Sequence, residues 1–278
     1  MQIPWRLKSS AFRILNRLPD GILYTAQRMT GRAVSEPTNI SEHWEYHRQA
    51  LERYGARRVI EFGAGKHLGQ NLYLSTLGIE QTVVDLFPML HIPAVNGYIR
   101  ALHRMGILKK ADPVTSLEDL KSGFRITYIA PLDVTNTPFA DNHFDANITS
   151  STLEHIPTDA IPAIFIELKR IIRPGGIISA RNDYSDHYSH TDRNISEVNH
   201  LRFSSKDWER HSPPNHYQNR LRHGHFRKFA TDAGFETIND NPRTPLAAWP
   251  HAVRPELLAN DDADLNTRGD FIWKIPEK

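Results

Sequence analysis

The stretch Arg58–Gly65, Arg-Val-Ile-Glu-Phe-Gly-Ala-Gly, constrains this chain more than any other. Val59, Ile60 and Phe62 have the β-branched and aromatic character of a buried strand, and Gly63 and Gly65 end it. The amphipathic run Asn71–Leu74 follows. Strand, glycine turn and helix together make the first βα unit of a nucleotide-binding α/β sheet. The glycines allow a sharp turn and let a ligand approach backbone that a Cβ would shield.

Two details narrow the ligand. A dinucleotide fingerprint needs a third glycine at Leu68, and the chain puts Gly69 one place later. Glu61, inside the strand, would repel a pyrophosphate. The pattern suits a cationic ligand without a pyrophosphate, namely S-adenosylmethionine. Asp85, 20 residues beyond Gly65, stands at the end of the second strand, Gln81–Leu86, where a carboxylate accepts from ribose hydroxyls.

The chain has 278 residues, enough for one large α/β domain with additions. A net charge of +2 makes no case for nucleic acid. The absence of cysteine excludes disulfides, cysteine-bound zinc and a thiol nucleophile, and fits a cytoplasmic protein. Residues 1–40 form a basic arm, in which Arg6, Lys8, Arg13, Arg17, Arg28 and Arg32 face a single acid, Asp20, across residues 1–34. Trp5, Leu7, Phe12, Ile14, Leu15, Leu18, Ile22, Leu23 and Tyr24 are interleaved with these charges. The expectation is a helical arm that covers the cleft or a homo-oligomer partner. Peripheral contact with the inner face of a membrane is the other use of such a segment.

After loop-like residues 31–40, Ser41 caps a helix reaching Tyr54 and stopping at Gly55. Residues 89–123 exceed the usual link between two strands and read as an insertion near the cleft, with helices over 98–108 and 116–121. Strands follow at 126–130, 146–149 and 176–183. The helix from about Thr158 to Arg170 stops at Arg173-Pro174-Gly175-Gly176.

Glu61–Gly65, Asp85, Leu132-Asp133-Val134, the Pro138–Asp145 turn, Leu153-Glu154-His155-Ile156 and Leu168–Gly176 stand in the order found in class I S-adenosylmethionine-dependent methyltransferases, which residues 58–180 resemble. The resemblance implies a Rossmann-like α/β fold over residues 41–278. Its seven-stranded, mostly parallel sheet has order 3-2-1-4-5-7-6, the last strand antiparallel, and helices on both faces. Residues 234–238 and 270–275 resemble the last two strands. By the same resemblance, Gly63 and Gly65 lie along the methionine part of the cofactor with Glu61 below. Asp85 holds the ribose, Asp133 accepts from the adenine amino group, and Val134 touches the ring. Ser150 lines the floor under the sulfonium, and His155 packs beside the cofactor.

Residues 183–225 hold seven of the fifteen histidines and begin at the ligand-binding edge of the sheet. Asp186–His190 and Asn219–Arg222 resemble methyltransferases of bacterial surface-polysaccharide and O-antigen biosynthesis. That implies a sugar-containing small molecule or glycan as acceptor, methylated on a hydroxyl; nitrogen or carbon of a small metabolite, or a non-catalytic binding module, are the alternatives. His187 and His190 are candidate bases, oriented by Asp183 or Asp186. Asp183, Tyr188, Trp208, Tyr217, Arg220 and Arg222 are candidate acceptor-binding residues, aromatics for sugar faces and arginines for phosphate. No metal is assigned, although a variant makes Asp183, Asp186, His187 and His190 ligands of a divalent ion.

Overall fold

A computed structural model describes residues 2–18, 22 and 36–277. Seven strands form one sheet in the order β3-β2-β1-β4-β5-β7-β6. They are β1 Arg58–Phe62, β2 Glu80–Val84, β3 Ile126–Ile129, β4 Phe144–Ser150, β5 Ile172–Asp183, β6 Glu236–Pro245 and β7 Asn266–Lys274. The first five pair in parallel, and β7 runs antiparallel to both β5 and β6. The expected order is the one observed.

Alternation along β1 explains why helices cover both faces. Val59 points into one apolar cluster with Leu51, Leu72, Val95 and Ile99. Its neighbour Ile60 points into the other, with Ile164, Phe165, Leu168 and Phe226. A strand buried on both sides reads as an unbroken apolar run. The helices are α1 Trp5–Leu15, α2 Glu42–Arg53, α3 Gly69–Ser75, α4 Ile92–Arg104, α5 Leu117–Phe124, α6 Ile161–Ile171 and α7 His223–Asp232, with a single helical turn at Ser205–Trp208.

Several boundaries differ from the sequence expectation for local reasons. Helix α4 starts at Ile92 rather than Tyr98, because Pro93 occupies the first turn, where its missing N–H costs nothing. With Val95, Ile99, Leu102 and Leu120 in the main core, residues 89–123 are the crossover from β2 to β3, not an appendage at the cleft. Strand β5 begins four residues early. Phe144 pairs with Ile172 and Ala146 with Ile177, so the Pro-Gly-Gly sequence is a bulge inside the strand. Gly176 is required there, since a Cβ would stand 2.5 Å from the Asp145 carbonyl oxygen. Pro242 and Pro245 are tolerated because β6 is an edge.

The described part of the N-terminal arm docks on the 183–225 segment. Trp5 joins Tyr188 and Trp208 in a third apolar cluster. Phe12 stacks on His216 with centroids 4.2 Å apart. The Trp5 amide donates to Asp192 Oδ2 at 2.8 Å, and Asn215 Nδ2 donates to the Phe12 carbonyl at 3.0 Å. Asp20, Leu23, Tyr24, Arg28, Arg32 and the loop signals at 31–35 lie outside the described residues. Among the described residues, no helix is long and apolar enough to cross a membrane.

Candidate active site

The carboxyl ends of β1, β2 and β4 build the first part of the site. Gly63 has φ +75° and Gly65 φ +74°, conformations that strain any residue with a Cβ. A Cβ on Gly63 would also lie 2.3 Å from Thr152 Cγ2, whereas Gly65 opens into space. Leu68 takes a positive φ of 51° at the start of α3, where a dinucleotide fingerprint would place glycine. Gly69 serves packing instead: its missing Cβ makes room for Tyr98 and Trp44.

Glu61 is buried under this loop and accepts from Gln70 Nε2 at 2.9 Å and Asn71 Nδ2 at 2.6 Å. Burial outweighs those two bonds and pushes its carboxyl up to about 7. Asp85 accepts from the Tyr128 hydroxyl at 2.8 Å, and burial raises it to about 6. Beside it Leu86 and Phe87 leave apolar surface exposed. Asp133 is exposed and folded onto its own turn, accepting from the Thr135 amide and hydroxyl at 2.9 and 2.8 Å. Val134 is half-buried at the edge of the apolar core. Ser150 Oγ stands 2.8 Å from His47 Nε2, and the other nitrogen of that ring is 2.8 Å from Ser179 Oγ. Full burial holds His47 neutral, at about 3. Nothing in the sequence pattern of its helix marks His47 as a residue that spans β4 and β5.

Next to Ser150 a cavity of about 280 Å³ opens over the ends of β4, β5 and β7. Its charged walls are Glu42, Arg181, Asp183, Arg243, Arg268 and Asp270. Three arginines face three carboxylates: Arg181 and Arg243 bind Asp270 at 2.7 and 2.9 Å, and Arg243 also reaches Glu42 at 2.7 Å. The larger cavity of about 590 Å³, lined by Ser75, Leu108 and Phe124, lies where α3 ends, away from the glycine loop. It shares no residue with the strand ends that carry the chemistry.

The histidines cluster beside the smaller cavity. Asp183 Oδ1 accepts from Ser185 Oγ at 2.5 Å, and that oxygen lies 3.1 Å from His190 Nε2. The rings of His187 and His190 stack with centroids 5.1 Å apart, and His155 is 4.9 Å from His187. Burial, then the neighbouring His155 and His190, hold His187 neutral, at about 2. Asp183, His187 and His190 are therefore brought together, with His155 as a member that the sequence reading had set beside the cofactor.

Residues 109–180, from the approach to α5 through most of β5, match a family model described as a methyltransferase domain. The chain solved in complex with the Haloferax volcanii Trm112 methyltransferase activator shares the fold. The two are 17% identical with a TM-score of 0.51, covering 91% of this chain and 98% of that one. A protein from Pyrococcus horikoshii shares it at 13% identity and a TM-score of 0.50, covering 90% and 98%. No curated protein sequence matches. Over residues 109–180 the chain is thus similar to a methyltransferase domain, and over most of its length it shares the fold of the chain bound to that activator.

Four of the expected acceptor or catalytic residues are spent inside the fold. Asp186 is fully buried and accepts from the Tyr188 amide at 2.8 Å and Asn199 Nδ2 at 2.9 Å, so it orients neither candidate histidine and offers nothing to a metal beside them. Tyr188 donates its hydroxyl to the His211 carbonyl at 2.6 Å, under Trp5. Trp208 stacks on Trp5 at 6.4 Å and is almost wholly covered. Arg222 is buried and donates to the carbonyls of Tyr184, Asp264 and Asn266. Arg220 is half-buried and donates to the carbonyls of His200 and Phe203. With Trp208 and Tyr217 it lines a separate cavity of about 460 Å³, so the expected arginine pair for phosphate is not assembled. Each guanidinium already donates to at least two backbone carbonyls.

Proposed function

We propose that this chain is an S-adenosylmethionine-dependent methyltransferase that transfers a methyl group to a hydroxyl oxygen on an uncharged sugar ring, carried in a bacterial glycan or its nucleotide- or lipid-linked precursor. The observation that carries the reading is the small polar cavity beside the Asp183–Ser185–His190 relay. Arg181 and Arg243 are paired with Asp270 and Glu42, and Arg268 lies 3.9 Å from Asp183, so the cavity favours a polyhydroxylated sugar ring over an anionic group. In this reading Asp85 holds the cofactor's ribose. With the Ser185 hydroxyl donating to Asp183, His190 donates Nε2–H to Ser185 and keeps its basic lone pair on Nδ1.

S-adenosylmethionine held through Asp85 would supply the methyl group as an electrophilic carbon on its sulfonium, for transfer to the acceptor oxygen. His190 would take the proton that this hydroxyl gives up. Alignment supplies much of the rate, and a positioned base adds roughly a hundredfold or more. Labelled S-adenosylmethionine incubated with nucleotide sugars and polysaccharide fragments tests this. We expect acid-stable, hydroxyl-linked label, with kcat lowered about a hundredfold in His190→Ala. Label appearing only on amines or carbon acids would sink the acceptor assignment.

A further inference from the structure

The one-turn helix Leu153–His155 follows β4 and places two consecutive metal-competent side chains against a third. Ligand atoms of Glu154, His155 and His187 all lie within 4.8 Å of one another. Glu154 is 1% exposed; its Oε1 accepts from the Asp183 amide at 3.2 Å, while its Oε2 has no hydrogen-bond partner. A buried carboxylate oxygen without a partner is costly and retained only where something answers it. His155 is already set as a ligand would be: its Nδ1 donates to the Tyr217 carbonyl at 2.8 Å, so the lone pair sits on Nε2. A backbone carbonyl behind a histidine fixes the tautomer in this way at metal sites.

The supports are stiff. Asn219 Nδ2 donates to the carbonyls of Leu153 and Ile156 at 2.8 and 2.9 Å, bracketing Glu154 and His155. Gln218 Oε1 accepts from the His187 amide at 3.2 Å. We propose that Glu154, His155 and His187 form a divalent-metal site beside the acceptor cavity. Two imidazoles and a carboxylate suit zinc-class ions rather than magnesium, and three protein ligands leave a coordination position open. Metal binding does not depend on the acceptor; only the ion's use does, which rests on the proposed O-methylation: it would hold the acceptor hydroxyl and lower its pKa.

The test uses the full chain without an affinity tag, stripped by EDTA and titrated with Co2+ by visible absorbance and with Zn2+ by calorimetry. One ion per chain is expected, with affinity at least about tenfold weaker in Glu154→Gln, His155→Ala and His187→Ala, and unchanged in His190→Ala. Melting curves verify that each variant is folded. Absence of stoichiometric uptake, or uptake indifferent to the first three substitutions, overturns the site. Because these titrations need neither cofactor nor sugar, a failed metal site with intact sugar methylation, and a filled site without it, are told apart.

Discussion

The glycine-loop half and the histidine-rich segment spend their polar side chains in opposite ways. In the first, Gly63, Gly65, Asp85 and Asp133 stand at strand ends or in the turns beyond them, where backbone position decides their surroundings. In the second, Asp186 and Tyr188 are consumed by partners within the segment itself, and Trp208 and Arg222 by neighbours from other parts of the chain. A segment without regular structure must satisfy its own carbonyls and amides, and it takes its polar side chains to do so. Residue type alone is therefore a poorer guide to function in the irregular segment, where most of its polar and aromatic groups hold the architecture.

The sharpest way to break this contrast is Arg222→Ala. Three carbonyls lose their donor inside the protein, and we expect about 3 kcal/mol or more of lost stability in urea unfolding. Unchanged stability with a raised KM would make Arg222 a ligand-binding residue after all. The next effect comes from Glu61. Its folded carboxyl titrates near 7 against 4.5 in the unfolded chain, so between those values the native state holds the extra proton. Stability of the cofactor-free protein then falls as pH rises from 4.5 to 7, by roughly 3 kcal/mol at most. Unfolding at several pH values should show Glu61→Gln flattening that slope.

How far the sequence could be read follows the same division. The order and direction of the seven strands came only from the resemblance to class I methyltransferases, whereas apolar runs and glycine turns, which act locally, made the individual strands legible. The start of β5 was not, since the Pro-Gly-Gly signal marks a turn and a bulge equally well. The bridge that His47 makes between Ser150 and Ser179 was not legible either, for no short-range pattern announces a contact spanning 132 residues. His187, His190 and Asp183 were nominated together because they are close in sequence. Glu154 lacked that cue, and its isolation shows only once β4 and the 183–225 segment are folded against each other.

Two smaller effects sharpen the comparison. Asp85→Ala should weaken S-adenosylmethionine binding by about 2 kcal/mol in calorimetry, the worth of a hydrogen bond to a charged group, and leave the melting temperature nearly unmoved. Tyr188→Phe should do the reverse. Losing its bond to the His211 carbonyl costs about 1 kcal/mol of stability, with no change in KM for either substrate.

The docking of α1 has a consequence for how this chain is made. The Trp5 amide and its acceptor on Asp192 are 187 residues apart. At a synthesis rate of roughly 5–20 residues per second, the first helix leaves the ribosome about ten to forty seconds before its binding surface exists. Throughout that interval Trp5 and Phe12 are uncovered on the nascent polypeptide, available to a chaperone and exposed to aggregation.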